Sequence, residues 1–177
     1  RVRRIYNLDN TQTHNMYVDG LNLYPKEGLL TFSAEDPRAD VHLIIHSMTL
    51  KEMTVKGIIG GVQGEAKVAV FGQQNLTNLM AAAALGLAAD LSPKEVWAGL
   101  PHCKTNWGRN QLVDLKSGAQ MIFDAYNANP DSMKALIDNV KNLKMNVKKI
   151  GVFGQMREMG PTSPELHKEL ATFAGGA

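Results

Sequence analysis

Apolar and polar positions change rhythm near the middle of the chain. Short β-type runs come first, at residues 3–8, 29–33 and 41–46, separated by polar stretches. Asn7-Leu-Asp-Asn10 reads as the polar exit of the first run. Residues 11–20 predict a helix with a weak apolar face, and Asp36-Pro-Arg-Ala-Asp40 predicts a turn. Residues 54–61 and 67–71 predict two further strands joined through a glycine-containing turn, antiparallel in character. An alanine-rich run, residues 79–89, then predicts a helix beginning near Asn75, because alanine is the best helix former and small side chains allow close packing on a sheet. A second helix follows. Ser92 suits its N-cap, Pro93 its first position and Glu95 the capping-box position, and Gly99 marks its end. Trp97 reads as core or as packed between domains.

Residues 101–107 form a polar connection, where a domain boundary is expected. Beyond it the pattern is α/β. Residues 110–115 and 119–123 predict strands around a Lys116-Ser-Gly118 hairpin turn. Residues 130–143 predict a helix with apolar positions Met133, Leu136, Ile137 and Val140. Lys141, Lys144, Lys148 and Lys149 then suit the negative end of its dipole and need no ligand. Residues 149–154 predict a buried strand, and Ser163 and Pro164 open a helix over residues 165–173.

Composition narrows the classes. The 177 residues have room for one domain or two small or incomplete ones, with 44% hydrophobic and 20% charged residues. A net charge of +2 implies no nucleic-acid partner and no anionic membrane surface. No apolar run approaches the roughly 20 residues of a membrane span. The lone Cys103 forms no internal disulfide, which fits a reducing cytoplasm.

Candidate chemistry gathers at the helix starts. Asp124-Ala-Tyr-Asn-Ala-Asn-Pro-Asp-Ser-Met133 lies between a strand and a helix, at the sheet edge where ligands bind in open α/β folds. Asn129 is a good N-cap and Pro130 a good first residue, and the helix start offers free N–H groups to an anion. An ordinary capped turn accounts for these residues equally well. Asn75 and Asn78 are three apart and share a face; an Asn amide can pair with an adenine edge, although capping is its commoner use. Three other features are decoys. His42 and His46 would stand about 13 Å apart on a strand, too far for one metal ion. The glycines of residues 57–64 lack the Lys-Ser/Thr that a phosphate loop needs, so they read as turn glycines. His14-Asn15 has no catalytic company.

These segments resemble the Mur ligases, the ATP-dependent enzymes that build the cell-wall peptide. Tyr126-Asn-Ala-Asn-Pro130 with Ser132-Met133 is most like the branch that adds D-Ala-D-Ala. Gly72-Gln-Gln-Asn-Leu-Thr-Asn78 is similar to the family's Gly-x-His-Asn-x-x-Asn, with Gln74 where the family has His. Gly108-Arg109 is similar to the Gly-Arg that opens the C-terminal domain. Gly154-Gln-Met-Arg-Glu-Met-Gly160 is similar to Gly-Asp-Met-x-Glu-Leu-Gly, with Gln155 replacing Asp. With Asn7–10 the segments occur in family order.

The resemblance implies the rest. Residues 1–106 would be the back part of the central ATP-binding domain and residues 107–177 the start of a Rossmann-like C-terminal domain. Asn75, Asn78, Arg109, Asp124, Tyr126 and Asn127 would hold ATP: Asn78 the adenine, Asp124 the ribose and Arg109 the phosphates, by the bidentate fork that suits Arg to phosphate. Asn129, Ser132, Glu158 and His167 would lie on the substrate side. Gln74 is the one candidate near the Mg²⁺, and no residue stands as nucleophile or general base. UDP-muramyl tripeptide and D-Ala-D-Ala would be the substrates of a cytoplasmic monomer. The sugar-binding domain, the phosphate loop and the Lys that holds Mg²⁺ when carbamylated would precede residue 1, so these 177 residues alone are expected to be inactive. The alternatives are a folylpolyglutamate synthase-like ligase, whose motif carries a His in place of Tyr126–Asn129, and a non-catalytic relative, to which Gln74 and Gln155 point.

Overall fold

The computed structural model describes residues 2–143 and 146–176. They fall into two compact units, Arg1–Lys104 and Thr105–Ala177.

The first unit is a five-stranded mixed sheet in the order β1 (Arg4–Asn7), β2 (Leu29–Ser33), β3 (Val41–Met48), β4 (Met53–Ile59), β5 (Val62–Val68). β1, β2 and β3 run parallel, and β3, β4 and β5 antiparallel. The β1–β2 crossover is α1 (Thr11–Leu23), started by Asn10, whose Oδ1 accepts from Thr13 N at 3.1 Å. That bond supplies a partner to one of the orphan N–H groups of a first turn.

The antiparallel half differs from expectation. Its last strand is Val62–Val68 and leaves Val70 and Phe71 outside. Gly60 and Gly61 form the turn, at φ of 53° and 80°. Positive φ at both central residues makes a two-residue hairpin, whose twist matches that of its strands. The turn therefore sits immediately before Val62, and the strand starts earlier than its apolar residues suggest.

α2 (Gln74–Ala88) covers the sheet. Val41, Leu43, Met53, Val55, Ile59 and Val68 are fully buried with Met80 and Ala84 of the helix. Each large aliphatic side chain so buried is worth about 1.5–3 kcal/mol relative to exposure. α3 (Pro93–Gly99) has the expected Ser92–Glu95 capping box. Its Trp97 packs on this same core and donates Nε1–H to Val62 O at 2.9 Å, so it belongs within the unit.

In the second unit β6 (Gln111–Asp114) and β7 (Gln120–Phe123) form an antiparallel hairpin. α4 (Pro130–Asn142) and α5 (Ser163–Gly175) pack around Ile137, Met156 and Leu170. Lys149 Nζ donates to Val140 O at 2.7 Å, closing a carbonyl at the end of α4. Lys144 lies outside the described residues. The strand expected over residues 149–154 is irregular instead, with Ile150 75% and Val152 93% exposed. An apolar run becomes a strand only where a neighbour takes its N–H and C=O groups. Among the described residues no strand pairs with it.

Candidate functional site

The side chains expected to hold ATP fall in both units, and those expected on the substrate side fall in the second. In the first, Phe71 is buried and Gly72 turns the chain at φ 100° into α2. Gln74 folds back over Gly72, close enough that a Cβ there would meet its amide at 2.6 Å. Asn75 is buried and donates Nδ2–H to Phe71 O at 2.7 Å. Its Oδ1 accepts from Asn78 Nδ2 at 3.1 Å. Asn78 itself is exposed. The two asparagines thus differ in kind: Asn75 is consumed inside the protein and Asn78 faces outward.

A cleft of about 490 Å³ opens beside the carboxyl ends of β1 and β2. Asp9 lies in its wall and accepts from Ser33 Oγ and, at 2.8 Å, from Ala34 N. Asp36 forms a fork with Arg38 Nε and Nη2, both at 2.9 Å. The hydrogen bond from the Arg38 guanidinium lowers the Asp36 carboxyl to about 2. The sequence shows this Asp-Pro-Arg run only as a turn; an i, i+2 Asp–Arg pair was the available signal.

In the second unit the turn before β6 is fastened to the end of β7. Tyr126 N donates to Gly108 O at 3.1 Å. Asn110 N donates to Asp124 Oδ1 at 3.1 Å. Gly108 has φ 70°, and a Cβ on it would lie 3.3 Å from both Tyr126 N and Tyr126 Cβ. The Arg109 guanidinium carbon stands 4.3 Å from the Tyr126 ring centroid, a cation–π contact. So Arg109, Asp124 and Tyr126 come together, with Asp124 Oδ2 left outside the turn bond. Asn110 Oδ1 is buried with no hydrogen-bond partner among the described residues.

The remaining candidates are mostly engaged locally. Asn127 Oδ1 accepts from Ala128 N at 2.9 Å. Asn129 and Ser132 cap α4 reciprocally, Asn129 Oδ1 accepting from Ser132 N at 2.9 Å and Ser132 Oγ accepting from Asn129 N at 3.3 Å. His167 Nε2 accepts from Met156 N at 2.9 Å while Nδ1–H donates to Ser163 O at 2.7 Å. Both ring nitrogens are therefore used, and His167 ties the 155–156 loop to α5. Glu158 is exposed at φ 63°. No hydrogen bond or ion pair among the described residues joins Glu158 or His167 to Arg109 or Asp124.

Comparison with known proteins gives this geometry a context. Residues 108–177 match the family described as Mur ligase, glutamate ligase domain. A 111-residue stretch is 37% identical to the UDP-N-acetylmuramoyl-tripeptide–D-alanyl-D-alanine ligase of Bacillus subtilis, covering 63% of this chain and 24% of that protein. Residues 108–177 thus carry a Mur ligase domain. The Gly108–Arg109 turn stands at the start of that match. The fold agrees: MurF from Acinetobacter baumannii superimposes with a TM-score of 0.82 over 98% of this chain and 36% of that one, at 22% identity. MurF from Thermotoga maritima, solved in complex with ADP, gives 0.75 over 98% and 38%, also at 22% identity. The chain spans about a quarter of the Bacillus ligase and a little over a third of these solved chains.

Proposed function

We propose that the intact protein is an ATP-dependent ligase that joins D-Ala-D-Ala to UDP-muramyl tripeptide. The observation that carries this reading is the 37% identity to a ligase named for that reaction. In it the γ-phosphoryl group passes from ATP to the peptide carboxylate. The D-Ala-D-Ala amine then attacks the acyl phosphate, an amide forms, and phosphate leaves as the amine gives up its proton.

In this reading residues 1–106 belong to the central ATP-binding domain and residues 107–177 to the C-terminal ligase domain. Asn78 takes the adenine edge, Asp124 Oδ2 accepts from a ribose hydroxyl, and Arg109 neutralises phosphate charge. Tyr126 supports Arg109, while Asn75 and Asn127 act behind these contacts. Their work is positioning and charge stabilisation, not proton transfer. Asn129, Ser132 and His167 hold the backbone around the substrate side, and Glu158 is the substrate-facing group free to bond. ATP chemistry of this kind uses Mg²⁺, a hard cation that takes clustered oxygen ligands. Among the described residues no group of three or more His, Cys, Asp or Glu stands ready for a metal, and the Gln74 amide alone is a poor ligand set. The reading also takes the protein as a cytoplasmic monomer; among the described residues no helix is long and apolar enough to cross a membrane.

The test is phosphate release by the intact protein. Release that requires ATP, UDP-muramyl tripeptide and D-Ala-D-Ala together is the expected result. Release supported by glutamate and a folate in place of the peptide substrates would move the assignment to the folylpolyglutamate branch. No release with any amine would leave a non-catalytic relative.

A further inference from the structure

We infer that Asn75 is a positioning residue that fixes the amide of Asn78, and that this relay makes the site select a base with a donor beside an acceptor, adenine rather than guanine. The inference rests on the nucleotide-binding reading above and adds to it how the base is chosen.

The relay starts from a group that cannot be reversed. Phe71 O is a backbone carbonyl and only accepts. Asn75 Nδ2 lies 2.7 Å from it, so the nitrogen of this buried amide must point there. Its oxygen therefore faces the other way, toward Asn78. Only the Asn78 nitrogen can meet that oxygen, which it does at 3.1 Å. Turning the Asn78 amide over would set two oxygens against each other, and neither has a proton to share. A buried acceptor facing an acceptor is a costly arrangement.

The result is a defined face toward solvent. Asn78 is exposed, and its Oδ1 accepts no hydrogen bond from the described residues. One Nδ2–H remains beside it, since an amide nitrogen has two and Asn75 takes one. Oδ1 next to N–H matches the adenine edge, where the 6-amino group donates and N7 accepts. Guanine presents two acceptors on that edge, O6 and N7. Its O6 would face Asn78 Oδ1, and the relay forbids the amide flip that would relieve the conflict.

The test is calorimetric binding of ADP and of GDP to the intact protein. The wild-type protein is expected to prefer ADP. Asn75→Leu keeps the side-chain size but removes the acceptor that holds Asn78. Its ADP affinity should fall about tenfold while GDP changes little, the discrimination of a bidentate base contact being about 1–3 kcal/mol. If Asn75→Leu does not melt cooperatively, Asn75→Ala removes the same acceptor with less crowding and replaces it in the comparison. A cooperatively folded acceptor-less variant that keeps the full ratio overturns the inference, as does a wild-type protein that binds ADP and GDP equally well; both leave the nucleotide site standing. A wild-type protein that binds neither removes the nucleotide reading and this inference with it.

Discussion

Placing alanine at Gly108 tests whether the turn before β6 holds Arg109 in place. At φ 70° an L-residue meets its own following carbonyl, at a cost of roughly 1–2 kcal/mol. The stiffer unfolded chain returns about 0.4–1 kcal/mol of that. The new Cβ would also stand 3.3 Å from Tyr126 N and Cβ, so the β7 end must give by a few tenths of an ångström. Tyr126 N is itself bonded to Gly108 O, so the segment cannot yield without stretching the bond that fastens the turn. The balance is a net loss of about 1 kcal/mol, or roughly fivefold in the population of the fastened turn. The loss should appear first where Arg109 acts. Under the ligase reading, the KM for ATP of Gly108→Ala rises several-fold while the melting of the first unit stays unchanged. A steady-state ATP titration of phosphate release reads the first, and amide hydrogen exchange of the two units reads the second. Unaltered ATP kinetics with unaltered stability would refute the view that this turn needs glycine.

Two further expectations follow from the bonds described. His167→Ala leaves Met156 N–H without its acceptor, a loss of about 1–3 kcal/mol for a buried group; amide hydrogen exchange should show the 155–156 loop opening more often, and unchanged protection there would contradict the tie. Asp36 has its folded-state pKa lowered from 3.8 to about 2 by Arg38. A lowered carboxyl adds stability above its unfolded pKa and loses it as pH falls through the folded one. The stability difference between wild type and Asp36→Asn should therefore be constant above about pH 5, shrink as pH falls from about 4, and be lost only below about pH 2, the folded-state pKa, in a series of urea melts; a difference that does not shrink between pH 5 and 2 would rule out the Asp36–Arg38 fork as its source.

Local chemistry made some of this legible in advance. Ser92-Pro-Lys-Glu95 and Asn129-Pro-Asp-Ser132 start helices where their caps say they should, because a cap is decided within four residues. The hairpin around Lys116-Ser-Gly118 is equally local. Residues 62–66 were harder to read. Gln63, Gly64 and Glu65 look like loop, yet the Gly60-Gly61 turn folds them against β4 as a strand. Residues 149–154 mislead in the opposite direction, since apolar content signals a strand and pairing, which it cannot signal, makes one. At the site, spacing brings Asn75 and Asn78 to one face but does not separate their roles. Only the carbonyl of Phe71 shows that one is anchored and the other presented. The same holds for Arg109 and Tyr126, seventeen positions apart in sequence and stacked in space. His167 shows the limit of motif reading: its place on the helix is visible, but the occupation of both its nitrogens is not.

Under the proposed reading the intact protein holds adenine through Asn78 and nucleotide phosphate through Arg109, and each contact is tested by itself. Binding of ATP and of adenosine to the intact protein, in wild type, Asn78→Leu and Arg109→Met, tests the reading most directly. Asn78→Leu should weaken both ligands about tenfold, as expected for loss of a base-edge contact. Arg109→Met should weaken ATP by about tenfold or more and leave adenosine nearly unchanged, since a charge-assisted bond to phosphate is worth about 1.5–3 kcal/mol. ATP binding that survives either substitution intact would contradict the account.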